Sequence, residues 1–272
     1  MNKLFDLTEK KVVIFGGNGY LGREFCNELL NFGAEVHSCD ISHTSHPETD
    51  HLKTSYPQKY FEHDIDGTSK DELKVLCEQI GGIDVLINST TSKGDDFYLP
   101  FEDVSLEGWE IGIQGNMTLP FLTMQAFIPM MKKKRSGSII NISSHYGVVG
   151  NDQRIYIGSN LNNVYTPEGE SNDERIYSHG VYNATKAGII NLTRYLAAYY
   201  GEYNIRVNCI SPGGVDHPGE NEAFVKKYSE KVPLGRKAER SEMNGALIFL
   251  ASDSSSYVTG HNLLVDGGYT IW

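Results

Sequence analysis

Apolar and β-branched positions gather in short runs, separated by longer stretches in which apolar residues recur every three or four positions. The runs are Lys11 to Gly16, Glu35 to Asp40, Tyr60 to Asp64, Ile83 to Asn88, Ser138 to Ser143 and Ile205 to Ile210, with a last one near His261 to Val265. Helical spacing covers about Tyr20 to Phe32, Thr68 to Ile80, Leu106 to Lys134, Gly180 to Tyr200 and Glu239 to Ala251. This alternation predicts an α/β fold, a doubly wound Rossmann-type parallel sheet with helices on both faces. A chain of 272 residues suits a single domain over 1–272. The segment from Val149 to Val181 breaks the rhythm with Asn, Gly, Tyr and acidic residues. It reads as an inserted loop at about 149–181, and long loops inside compact domains are usually functional or disordered.

Charge and cysteine usage narrow the partners. The net charge is −11, from 24 Lys+Arg against 35 Asp+Glu, which disfavours nucleic acid or an anionic membrane surface as the main partner. The one basic run, Lys132 to Arg135, reads as a helix end. Cys26, Cys39, Cys77 and Cys209 lack C-x-x-C spacing, so no metal site and no disulfide framework is expected. No apolar run reaches membrane-spanning length, and Asp6 and Glu9 stand where a signal peptide would be apolar. A cytoplasmic protein acting on a small-molecule substrate is the expectation.

The first strand runs into Gly16-Gly17-Asn18-Gly19-Tyr20-Leu21-Gly22 and a helix follows at once. Glycines at 16, 19 and 22 permit a tight turn, close backbone approach to a pyrophosphate and close helix packing. A glycine triplet alone serves equally well as a plain connector. Here a strand precedes it, a helix follows, and Asp40 ends the second strand about 20 residues on, where a carboxylate accepts both adenosine ribose hydroxyls. Its charge opposes a 2′-phosphate, so NAD(H) is expected over NADP(H). Asp64 and Ile65, ending the third strand, are placed to receive the adenine amino group.

A second constellation lies further along. Tyr182 and Lys186 are four residues apart on a helix and share one face, where an ammonium favours the phenolate. Ser143 and Ser144 end a strand at the carboxyl edge of the sheet, where open α/β folds bind ligands. Asn116, seven residues after Trp109, is a polar residue in a helical stretch that can leave a backbone carbonyl free to hold a water.

These pieces, with Ile139-Ile140-Asn141-Ile142-Ser143-Ser144, Ile205 to Gly213 and Val258 to Gly268, resemble the compact branch of the short-chain dehydrogenase/reductase family over nearly the whole chain. The resemblance implies a catalytic tetrad of Asn116, Ser144, Tyr182 and Lys186. Tyr182 would be the acid/base and Ser144 would orient the substrate oxygen; Lys186 would bind the nicotinamide ribose and lower the tyrosine pKa, and Asn116 would hold a relay water. Cofactor contacts are expected along Gly16, Asn18, Gly19, Tyr20, Leu21 and Gly22, at Asp40, Asp64 and Ile65, and at Asn88, Ser89 and Thr90. Tyr182, Lys186, Pro212, Gly213, Val215 and His217 complete that set. A homotetramer is also implied, with the helices about Leu106 to Lys134 and Gly180 to Tyr200 pairing between subunits.

Departures from the family pattern matter too. Tyr20 stands where the compact branch has glycine, which resembles the family's extended branch, yet the chain ends in the compact branch's Asp266-Gly267-Gly268. Asn88-Ser89-Thr90-Thr91 replaces the usual Asn-Asn-Ala-Gly, and His217 replaces a threonine. The insertion between Ser144 and Tyr182 carries Asn151, Asn160, Asn162, Asn163 and Asn172 with Tyr156, Tyr165 and Tyr177. Amides and phenols suit a hydroxyl-rich substrate. The expected function is therefore NAD(H)-dependent interconversion of a secondary alcohol and a ketone on a sugar-like, polyol, sugar-phosphate or nucleotide-sugar substrate. The alternatives are reduction of an acyl or other lipid carbonyl, and a cofactor-binding regulator without turnover.

Overall fold

The structure, a computed structural model, describes residues 3–158 and 176–272. Seven parallel strands form one sheet: β1 (Lys11–Phe15), β2 (Glu35–Asp40), β3 (Tyr60–Asp64), β4 (Val85–Asn88), β5 (Gly137–Ile142), β6 (Ile205–Pro212) and β7 (Asn262–Val265), in the order β3-β2-β1-β4-β5-β6-β7. The order reverses between β1 and β4, which opens a crevice at the carboxyl ends of those strands.

Helices cover both faces, as the doubly wound pattern predicts. They are α1 (Tyr20–Asn31), α2 (Pro47–Ser55), α3 (Lys70–Ile80), α4 (Leu106–Ile113), α5 (Leu119–Lys134), α6 (Gly180–Tyr200), α7 (Glu222–Ser229) and α8 (Asn244–Ala251). In α1 the buried residues Gly22, Phe25, Cys26 and Leu29 follow helical spacing and pack with α8 on one face of the sheet. On the other face Leu73, Leu76 and Ile80 of α3 join Leu122, Phe127 and Met131 of α5 and Ile189 and Ile190 of α6. Among the described residues no helix is long and apolar enough to cross a membrane.

Several elements differ from the periodicity. The long pattern from Leu106 to Lys134 is interrupted by a π turn, Gln114–Thr118, which contains Asn116. The final helical pattern opens as a 3-10 turn, Arg240–Met243, before α8. Helices α2 and α7 were not expected, because each buries only two residues, Thr49 and Leu52 in one and Phe224 and Tyr228 in the other. The described ends of the insertion are also more apolar than its composition suggests: Ile155, Tyr156 and Ile176 pack with Phe224, Tyr228 and Tyr269 into a third cluster. Asn160, Asn162, Asn163, Tyr165 and Asn172 lie outside the described residues.

Candidate active site

The glycine loop is a cradle that side chains would fill. Gly16 has φ +80, and a Cβ there would lie 2.6 Å from the Ser89 carbonyl oxygen; one on Gly22 would lie 2.0 Å from the Gly16 oxygen. Gly19 caps α1 without a side-chain hydrogen bond, so the N–H groups of the first turn are left for an anion at the positive end of the helix dipole. Asp40 closes this end. Its carboxylate accepts from the Asn18 N–H at 3.1 Å and the Ile41 N–H at 2.9 Å, and it stands in the wall of the same cavity as Gly16, Gly19, Tyr20 and Leu21. These groups fit a dinucleotide, with its pyrophosphate on the bare N-terminus and its adenosine ribose against Asp40.

That cavity, about 570 Å³, runs along the carboxyl edge to Ser144, Tyr182 and Lys186. Lys186 is 3% exposed, and its Nζ donates to the Ile142 carbonyl at 2.9 Å. Ser143 Oγ donates to the Lys186 carbonyl at 2.7 Å, fastening α6 to the end of β5. The close approach needs Gly147, where a Cβ would fall 2.7 Å from Lys186 backbone atoms. Burial pushes the Tyr182 phenol up from its ordinary value, against a hydrogen bond with Ser144 that pulls it down. Lys186 is brought down to about 8 by the same burial. Four-residue spacing on one helix face predicts an ammonium that lowers the phenol. In the structure Nζ lies 5.5 Å from the ring centroid, its hydrogen bond goes to Ile142, and desolvation sets the phenol's direction.

The remaining predicted residues divide. Ile65, Ser89, Thr90, Pro212, Gly213, Val215 and His217 line the cavity. Asn88 does not. Its amide donates to Asn141 Oδ1 at 2.9 Å and its oxygen accepts from Thr123 Oγ1 at 2.7 Å, so it belongs to a buried polar network beneath the sheet edge. The Asp64 side chain is 68% exposed; its carboxylate accepts from the His43 backbone N–H at 2.8 Å and pairs with His43 Nδ1 at 2.7 Å, away from the cavity wall. The buried Asn116 amide donates to the Ser92 and Gly112 carbonyls at 3.2 and 2.8 Å, and its oxygen accepts from Thr91 Oγ1. Its side chain therefore braces the loop after β4 from behind.

Other residues in the site gave no sequence signal. His145 donates from Nδ1 to the Pro212 carbonyl at 3.0 Å, while Nε2 lies 3.5 Å from the Tyr228 hydroxyl. The same hydroxyl accepts from the Gly214 N–H, so α7 and the residue after Ser144 together hold the Pro212–Gly214 turn. Glu220 and Lys237 form an ion pair whose side chains are 5% and 4% exposed. Tyr98, Tyr146, Phe224 and Tyr228, together with Tyr156 that the sequence singled out in the insertion, give the Tyr182 end of the cavity aromatic walls. Only their position in the fold brings them together.

Comparison with known proteins gives the chain's relatives in sequence and fold. The family described as short chain dehydrogenase matches residues 10–159, and one described as Enoyl-(Acyl carrier protein) reductase matches 170–270. D-arabinitol 2-dehydrogenase [ribulose-forming] of Candida tropicalis is 32% identical, over 98% of this chain and 95% of its own. The 3-oxoacyl-[acyl-carrier-protein] reductase of Thermotoga maritima is 31% identical, over 97% and 99%. A solved short chain dehydrogenase of Leptospira borgpetersenii with bound NAD+ is 35% identical, with TM-score 0.83 over 99% of this chain and 96% of that one.

Proposed function

Since this chain belongs to the short-chain dehydrogenase/reductase family of oxidoreductases, we propose that it is an NAD(H)-dependent enzyme interconverting a secondary alcohol and a ketone on a hydroxylated, sugar-like or polyol substrate. The observation that carries this reading is one continuous cavity with the glycine cradle and Asp40 at one end and Ser144, Tyr182 and Lys186 at the other. The polyol relative and the NAD+-bound relative support the choice of substrate and cofactor.

NAD(H), when bound, supplies or accepts the hydride. Tyr182 gives its phenolic proton to the carbonyl oxygen in reduction and takes the hydroxyl proton in oxidation. Ser144 hydrogen-bonds the same oxygen and holds it at Tyr182. The Lys186 ammonium stabilises the phenolate once the proton has left. Pro212 to Gly214, held from behind by His145 and Tyr228, form the wall that fixes which face reacts. Carbohydrate metabolism in the cytoplasm is the setting this chemistry suggests. Exposed Leu106 and Phe121 on α4 and α5 and exposed Tyr195 and Tyr199 on α6 favour a homotetramer paired through these helices.

A second reading, reduction of an acyl carbonyl, is favoured by the apolar aromatic walls and by the Thermotoga relative. Screening polyols and sugar phosphates with NAD+, beside acyl carbonyls with NADH, separates the two. Tyr182→Phe should lose roughly 10²- to 10⁴-fold in turnover on the active substrate, as removal of a general acid does, and keep NADH affinity. A variant retaining a tenth of wild-type kcat would refute the role given to Tyr182.

A further inference from the structure

The turn that ends β6 is held at both ends by one pair of buried side chains. Tyr228, 2% exposed, and His145, 3% exposed, line the cavity where Pro212, Gly213 and Gly214 form its wall. His145 Nδ1 lies 3.0 Å from the Pro212 carbonyl, which can only accept, so Nδ1 carries the ring proton. Burial pulls the imidazole down to about 4, which keeps it neutral at pH 7 and leaves Nε2 an acceptor. The Tyr228 hydroxyl accepts from the Gly214 N–H and directs its own proton to Nε2, 3.5 Å away. A hydrogen-bond circuit therefore starts on the Gly214 N–H and returns to the same turn at the Pro212 carbonyl.

We propose that Tyr228 is a positioning residue for the nicotinamide half of the cofactor, its hydroxyl and His145 together setting the angle of the Pro212–Gly214 wall, while the ADP-ribose half is held independently by the glycine cradle and Asp40. This rests on the NAD(H) reading and deepens it. A dinucleotide with its pyrophosphate on the α1 N-terminus and its adenosine at Asp40 reaches this wall with its other end. The fit there is steric as well as polar. A Cβ on Gly214 would lie 2.5 Å from Tyr228 Cζ, and one on Gly213 would lie 2.7 Å from Asp266 Cα, so the turn is pressed between the Tyr228 ring and the loop after β7. Tyr228 stacks on Tyr269 at 5.2 Å, and Tyr269 meets His145 edge-on at 4.7 Å, so the two halves of the circuit share one aromatic backing. Phenylalanine would pack in this place as well as tyrosine. Burying the hydroxyl offsets its desolvation only through the bonds it makes, and those bonds go to the turn and to His145. Helix α7 buries only Phe224 and Tyr228, so the turn holds one of its two anchors.

The test is calorimetric titration of the full chain with NADH and with ADP-ribose, which is the cofactor without its nicotinamide. Tyr228→Phe keeps the ring and removes only the hydroxyl. It should weaken NADH binding about fivefold, the scale of one net hydrogen bond, and leave ADP-ribose affinity within twofold of wild type, which also shows that the variant is folded. His145→Leu should weaken NADH similarly, and the double variant should lose little more than the worse single one, since either change opens the same circuit. Unchanged NADH affinity in Tyr228→Phe overturns the proposal. An equal fall for NADH and ADP-ribose overturns it too, because the pair would then be a scaffold for the whole cavity, and fully additive losses would dissolve the circuit into two separate supports. The premise fails separately. If the wild type binds NADPH and not NADH, the NAD(H) reading falls, and the role of Tyr228 is decided by the same ratio between NADPH and 2′-phospho-ADP-ribose; a chain that binds neither dinucleotide overturns both.

Discussion

The Tyr20 hydroxyl donates a 2.7 Å hydrogen bond to the carbonyl of Asp216, 196 residues along the chain. The ring also packs on His217, with centroids 4.6 Å apart, and the Arg240 guanidinium lies over it at 4.9 Å. A residue that departs from the compact branch's glycine therefore clasps the glycine loop to the loop leaving β6, across the cavity that the cofactor would fill. Tyr20→Phe should weaken NADH binding by about 1 kcal/mol, roughly fivefold, and Tyr20→Gly, which also removes the stack, should weaken it further. Fluorescence titration of NADH measures both; unchanged affinity in the glycine variant would show that the clasp does not serve the cofactor.

Asp40 offers a carboxylate where a 2′-phosphate would have to sit, and among the described residues its hydrogen bonds come from two backbone N–H groups. The nearby Arg23 is committed to Glu48 and to the Asn18 carbonyl. Asp40→Ala should raise the NADP+ to NAD+ ratio of kcat/KM by about tenfold or more, by relief of like-charge repulsion. Steady-state kinetics with both cofactors decide it. A wild-type preference for NADPH would remove the assignment altogether.

The motifs that were legible are those whose chemistry is local. Gly22 works through close approach to the Gly16 backbone within one short loop, and Tyr182 and Lys186 through a single helical turn, so sequence spacing carries the geometry directly. Asn88 misled because its place at the end of β4 suggested a ligand contact, whereas burial obliges it to spend both amide atoms on Thr123 and Asn141. His145 and Tyr228 are 83 residues apart, and Phe97, in the loop after β4, meets the Tyr182 ring edge-on. No period in the chain encodes such contacts; they exist once the sheet order has brought the loops to one edge.

Acid should destabilise the fold through its buried histidines. His145 and His63 are each pulled from 6.5 to about 4 by burial. The unfolded chain therefore binds more protons between those values, so their stabilisation is complete above about pH 6.5 and is lost as the pH falls towards 4. The slope should approach about 1.4 kcal/mol per pH unit for His145, and less for the partly exposed His63. Urea denaturation from pH 7 to 4 should show this decline, and His145→Gln should flatten it. A pH-independent midpoint over that range would contradict the burial argument.

The insertion is stitched at its base over the substrate end of the cavity. The Gln153 amide donates to the Ser178 carbonyl at 3.0 Å, and its oxygen accepts from the Ser178 N–H at 2.9 Å. Asn183, one residue after Tyr182, donates to Asn151 Oδ1 at 2.7 Å. Tyr156 and Ser178, on opposite sides of the stitch, both line the cavity beside Tyr182, while the glycine cradle and Asp40 make no hydrogen bond to either strand of the base among the described residues. Undoing the stitch should therefore act on substrate and spare the cofactor. Gln153→Ala removes two hydrogen bonds worth together about 1–2 kcal/mol, so KM for the true substrate should rise roughly five- to thirtyfold, with NADH affinity within twofold of wild type. If KM stays fixed in a folded variant, the base of the insertion is a scaffold remote from substrate binding; if NADH affinity falls in step with KM, the segment orders the whole cavity and is no substrate-side lid.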